Sequence, residues 1–200
     1  MATQQAAVTD IASHARSASV LGTLEAAGGQ PDLDLFGPLS HGMSSAFAAG
    51  ARMVAQGIEA SLPDAATLLA LLPESLREGS AQGYVRHLVH ADPLARFSAM
   101  LIVWRPGQHS PVHGHQTWCA YRVLRGTLHE RHYRWDAQER LAHPCGEVTR
   151  TVGNTFSVPA GLRHIHALGN DSDEIAVSLH IYGVDQEHIC SGVNLLVDAA

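Results

Sequence analysis

Residues 104–119 read WRPGQHSPVHGHQTWC. His113 and His115 stand at i and i+2. In a β-strand such side chains project from one face a few ångströms apart, so two imidazoles can chelate one ion. A bare His-x-His is weak evidence, because surface histidines also fall at this spacing. The surroundings give it weight. Five residues separate Gly107 from His113, Cys119 follows His115 after three residues, and Gly126 follows Cys119 after six. Some thirty residues on, Gly153 is followed after five residues by Pro159, then by Gly161, His164, His166 and Asn170.

Outward from these segments the chain changes character near residue 95. After it come FSAMLIVW, AYRVLRG, LHERHYRW, EVTRTV, TFSVP, HIHAL and EIAVSLHIY, short stretches with many β-branched and aromatic residues. PG, RG, CGE, VGN, PAG and GNDSD separate them and read as turns. Strands at this spacing predict a closed β-barrel or jelly roll. Before residue 95, VTDIASHARSASVLGTLEAA, SSAFAAGARMVAQGIEASL and PDAATLLALLPESLREG are rich in helix formers. Asp10, Ser44 and Asp64 are their plausible caps, and GGQPD, FGPLSHG and Gly79 their breaks. The expectation is one structural domain, mainly β, with a helical portion over 1–95 packed on a barrel over 96–200.

Composition narrows the function. The net charge of −6 and the lack of a basic stripe argue against nucleic acid. No apolar run approaches the ~18 residues needed to span a bilayer. The start, MATQQAAVTDIASHA, lacks a basic region followed by an apolar stretch, so no secretory signal is expected. Cys119, Cys145 and Cys190, odd in number and widely spaced, do not read as a disulfide framework, and a reducing cytoplasm is expected. The fourteen histidines outnumber the thirteen Lys and Arg together. His109, His129, His132 and His143 read as surface or structural residues, and Cys145 and Cys190 have no evident partner.

The two glycine–histidine segments resemble, in order and spacing, the two motifs of the cupin superfamily, with Cys119 where a ligating glutamate is usual. Within it, WRPGQHSPVHGHQTWC, VLRGTL and AVSLHIY resemble the thiol dioxygenases, cysteine dioxygenase and 3-mercaptopropionate dioxygenase, over roughly residues 84–183. The resemblance implies Fe(II) held by three histidines: His113, His115 and a third. An apolar residue, His, x, apolar, x, Asn pattern selects His166, whereas Gly-x-x-His spacing selects His164. Both lie on one strand face, so alternation leaves them open. Without an acidic ligand the iron keeps its full charge, which favours a substrate that binds as thiolate.

Ser178, His180 and Tyr182 alternate along SLHIY and share one strand face. The resemblance implies a hydrogen-bonded relay in which the tyrosine hydroxyl points toward the iron-bound ligands. Cys119 matches the cysteine that forms a thioether with that tyrosine in animal relatives. YVRHLV at 84–89 resembles a Tyr-x-Arg-x-Leu segment, so Arg86 is the implied clamp for a substrate carboxylate, with Arg163 as fallback. The mercaptopropionate enzymes use an arginine after the Ser-His-Tyr strand, and GVDQEHICSGVNLL contains none. Trp104 and Trp118 flank the first motif, and Trp118 either lines the pocket or packs in the core. The implied activity is oxidation of a small thiol carboxylate with O2 to its sulfinate, with L-cysteine first and 3-mercaptopropionate or mercaptosuccinate second. The competing class is a non-oxidising metallocupin, an isomerase or metal-dependent sensor. The protein is expected to be a monomer or homodimer.

Overall fold

The computed structural model describes residues 36–200. Helix α1 (Phe36–Ser61), the short helix α2 (Ala65–Leu69) and a 3-10 turn (Glu74–Leu76) precede ten strands. These are β1 (Val85–Ala91), β2 (Ser98–Trp104), β3 (His113–His115), β4 (Cys119–Arg125), β5 (Leu128–Asp136), β6 (Leu141–Arg150), β7 (Thr155–Val158), β8 (Gly161–Gly169), β9 (Ala176–Tyr182) and β10 (Asn194–Leu196). They form two five-stranded sheets, β1-β2-β9-β4-β7 and β10-β3-β8-β5-β6. All pairs between these strands are antiparallel. The mainly β architecture with an N-terminal helix is what the turn spacing and the helix formers predict, and a cupin-like fold is what the family resemblance implies.

The two central strands of the first sheet show why the helices are there. Every residue of β2 and of β9 is buried. On one face Ala99, Leu101 and Val103 join Val177, Leu179 and Ile181, and Ala51, Ala55, Leu68 and Leu72 of the helical portion cover them. The other face carries Met100, Ile102 and Trp104 beside Ser178, His180 and Tyr182, and lines the barrel interior. A strand covered on both sides reads as a continuous apolar run rather than as an alternation. Arg122 of β4 ties helix to sheet. Its guanidinium donates to the carbonyls of Glu59, Leu62 and Pro63, at and just beyond the end of α1.

The helical portion differs from the sequence reading in three places. FGPLSHG is no break, because α1 runs from Phe36 and Ser44 lies inside it rather than capping it. Pro38 sits in the first turn, where its missing N–H costs no helical bond. PDAATLLALLPESLREG splits into α2 and the 3-10 turn at Pro73, while Asp64 caps α2 by accepting from Thr67 N at 3.0 Å. The sheet begins at Val85, ahead of the expected change at residue 95. The helix expected over 8–27, with Asp10 and GGQPD, lies outside the described residues. Among those described, no helix is long and apolar enough to cross a membrane.

Candidate metal centre

Strand β3 is the single triplet His-Gly-His, all three residues buried. Gly114 permits its close approach to β8: a Cβ there would lie 2.8 Å from the Gly161 carbonyl oxygen. The register sets His113 opposite His166. One ring nitrogen from each of His113, His115 and His166 lies within 4.8 Å of the others. The ring centroids are 4.7–5.4 Å apart.

The choice between His164 and His166 turns on a register shift. His113 faces His166, yet His115 faces Gly161, so β8 is irregular between these points. His166 is buried in the cluster. His164 is exposed and borders a neighbouring cavity with Phe156 and His132. Arg163 borders that same cavity, not the one lined by Arg86.

Burial keeps His113 and His115 neutral. It lowers His113 to about 4, with the adjacent His166 adding to the effect, and holds His115 well below the ordinary imidazole range. Two rings are oriented from behind. His113 Nδ1 donates to the Pro111 carbonyl at 2.9 Å, and His166 Nδ1 donates to Glu130 Oε1 at 2.6 Å. A ring that donates from Nδ1 presents its lone pair at Nε2.

Glu130 was not singled out by the sequence reading. It is fully buried, and its carboxylate also accepts from Tyr121 Oη at 2.8 Å and Arg150 Nε at 2.7 Å. Burial disfavours its charge, but the bonds from His166 and Tyr121 and the nearby Arg150 hold it well below the usual carboxylate range. The cluster therefore does have a carboxylate, placed behind His166 rather than among the converging imidazoles. His132, read as a surface or structural residue, also approaches it, with Nε2 at 3.4 Å from Glu130 Oε1. Most of LHERHYRW is charged or histidine, and no period in it marks Glu130. Only pairing of β5 with both β6 and β8 brings Arg150 and His166 to it.

The same cavity is bordered from the first sheet by Arg86, Trp104, Cys119, His180 and Tyr182. Trp104 Nε1 donates to Ser178 Oγ at 2.9 Å, Ser178 Oγ meets His180 Nε2 at 2.9 Å, and His180 Nδ1 meets Tyr182 Oη at 3.2 Å. Burial pushes His180 down to about 3, so the ring is neutral. Cys119 pairs directly with Tyr182 across β4 and β9, and burial raises its thiol far above the ordinary range. Cys119 is buried, Cys145 and Cys190 are exposed, and all three are unbridged. Asn170 builds a turn, donating from Nδ2 to the Trp104 and Glu174 carbonyls.

Trp118, expected to line the pocket and contact substrate or else to pack in the barrel core, does neither. It packs in the outer core with Leu101 and Leu179, not against the cavity. Strand alternation sends it away from its neighbour Cys119, and its indole lies where a Cβ on Gly183 would stand, 2.2 Å from Nε1.

Three imidazoles, two of them oriented by hydrogen bonds, form a donor set suited to a divalent first-row metal. The model of the family described as cysteine dioxygenase type I matches residues 78–189. Among solved structures, a protein from Thermus thermophilus is 21% identical over 58% of this chain and 93% of its own, with a TM-score of 0.44. A cupin superfamily protein from Desulfitobacterium hafniense is 18% identical over 57% and 90%, at 0.42. A sugar phosphate isomerase from Silicibacter pomeroyi is 22% identical over 56% and 66%, at 0.41. With the family model covering more than half of its length, the chain belongs to the cysteine dioxygenase type I family.

Proposed function

We propose that this protein is an Fe(II)-dependent thiol dioxygenase that converts a small thiol carboxylate, L-cysteine before 3-mercaptopropionate or mercaptosuccinate, to its sulfinate. The observation that carries the reading is the convergence of an all-histidine cluster, Arg86 and the Ser178–His180–Tyr182 relay on one cavity. Iron held by His113, His115 and His166 would supply the redox chemistry by which both atoms of O2 reach the substrate sulfur.

The chain's own residues bind and orient. Arg86 borders the cavity from β1 and supplies a planar, permanently charged fork for the carboxylate. In the relay, Trp104 can only donate, so Ser178 accepts from it. Ser178 is fully buried and its hydroxyl meets only Trp104 and His180 among the described residues, so its own hydrogen is satisfied by donation to His180 Nε2. The neutral ring then carries its hydrogen on Nδ1 and donates to Tyr182 Oη. That leaves the Tyr182 hydrogen free for a group in the cavity.

The direct cross-strand pairing of Cys119 with Tyr182 supports the thioether that the family resemblance implies. Forming it replaces the Cys119 S–H and one ring C–H of Tyr182 by a C–S bond, with two electrons and two protons passing to O2. Oxygen-electrode assay of the iron-loaded protein against a thiol panel, with sulfinate identified by mass spectrometry, tests the activity. Uptake coupled to sulfinate supports it, and a metal-loaded protein inert to every thiol returns the reading to a non-oxidising cupin. Peptide mapping tests the crosslink, which unmodified Cys119 and Tyr182 in active enzyme would disprove.

A further inference from the structure

Asn194 lies beyond the residues matched by the family, on a strand the turn spacing did not announce. Strand β10 pairs antiparallel with β3, and Asn194 stands directly opposite His115. Directly paired residues project from the same sheet face with their Cβ atoms about 4.5–5.5 Å apart. Asn194 accordingly borders the cavity that holds the three histidines and Arg86. Its position is tied to the histidine pair by Gln116, the residue after His115. Gln116 Nε2 donates to the Asn194 carbonyl at 2.9 Å, and Gln116 N to the Val193 carbonyl at 2.8 Å.

The carboxamide itself makes no hydrogen bond to any described residue, although its backbone is engaged. The cavity's other polar groups are differently placed. Ser110 Oγ donates to the Pro111 carbonyl and accepts from Leu168 N, while both ring nitrogens of His180 are engaged in the relay. Among the described residues, no Asp or Glu borders the cavity. Arg86 answers a carboxylate and the histidines answer sulfur through the metal. Among the described lining residues, Asn194 alone brings a side-chain carbonyl oxygen, an acceptor for an N–H donor.

We propose that Asn194 determines specificity by accepting, at its carboxamide oxygen, a hydrogen bond from the α-amino group of the thiol substrate. The proposal rests on the thiol dioxygenase reading above. The α-amino group donates N–H bonds whether it is protonated or neutral, so a carboxamide oxygen can accept from it in either form.

L-Cysteine and 3-mercaptopropionate differ by that amino group, so steady-state oxygen uptake with each, on full-length iron-loaded protein, tests the contact. Asn194→Ala is expected to raise the KM for L-cysteine about tenfold, with kcat and the KM for 3-mercaptopropionate little changed. Asn194→Asp keeps an acceptor oxygen and should retain the preference for L-cysteine. If 3-mercaptopropionate is not turned over, its inhibition constant against L-cysteine replaces its KM. Equal changes for both thiols, no change for either, or Asn194→Asp behaving like Asn194→Ala overturns the assignment while leaving the dioxygenase reading intact. Oxidation of 3-mercaptopropionate but not L-cysteine by the wild type also overturns it. A wild type that oxidises no thiol brings down the dioxygenase reading itself, and this assignment with it.

Discussion

Two places among the described residues bring three potential metal ligands together. His113, His115 and His166 meet inside the barrel, and Asp136, Glu139 and His143 meet at the β5–β6 hairpin. By charge alone the second is the better trap for a cation. Its groups, however, are partly committed elsewhere. Asp136 Oδ1 accepts from the backbone N–H groups of Gln138 and Glu139 at 2.8 and 3.0 Å, and His143 Nε2 meets Glu139 Oε2 at 2.8 Å. These bonds hold the turn. In the barrel, by contrast, the bonds fall on the backs of the rings and leave the inward nitrogens uncommitted. Proximity alone does not make a metal centre. What counts is which lone pairs the fold leaves unspent, and whether they converge.

The largest test of that contrast is His113→Ala. Metal content by plasma mass spectrometry should fall to background, with oxygen uptake falling alongside. A variant that kept its metal would move the centre elsewhere. Glu130→Gln probes the support behind His166. The metal affinity measured by chelator competition should drop about 10- to 100-fold. Folding should also weaken, because Arg150 loses the charge of its buried partner. Tyr182→Phe should retain the metal yet slow turnover, on the order of 100-fold, if its hydroxyl hydrogen serves the cavity as inferred.

Smaller effects belong to carboxylates that hold turns. Asp92, between β1 and β2, accepts from the backbone of Leu94 and Arg96 and pairs with the Arg96 guanidinium. Chiefly through that Arg96 bond, its carboxyl lies well below its ordinary value of 3.8. A carboxyl depressed by folding stabilises above its unfolded value and loses the contribution as acid protonates the folded form. Asp92→Asn should therefore lower the thermal midpoint at neutral pH, and the gap from wild type should narrow as pH falls below 3.8. At the bottom of the scale, the Asp136→Asn/His143→Ala double variant should leave metal stoichiometry unchanged.

Much of the centre was legible because short-range geometry announces it. Two residues apart on a strand means one face, so His113 with His115, and Ser178 with His180 and Tyr182, could be grouped from spacing alone. Glu130 could not, since what distinguishes it is contact with Arg150 and His166, one strand away on either side. Asn194 was hidden for the same reason, its value lying in its partner across β3. The α1 boundary was misplaced because Pro and Gly were read as breaks, although a first turn tolerates Pro.

By itself, then, the order of residues determined the barrel class, the paired histidines and the polar face of β9, because these follow from periods of a few residues. Only the tertiary structure brought His166 rather than His164 to the histidine pair, sent Trp118 to the outer core, placed a carboxylate behind His166 and set Asn194 beside His115. Each of those outcomes depends on which strands lie side by side and in what register, and register is a property of the closed sheet, not of any one strand.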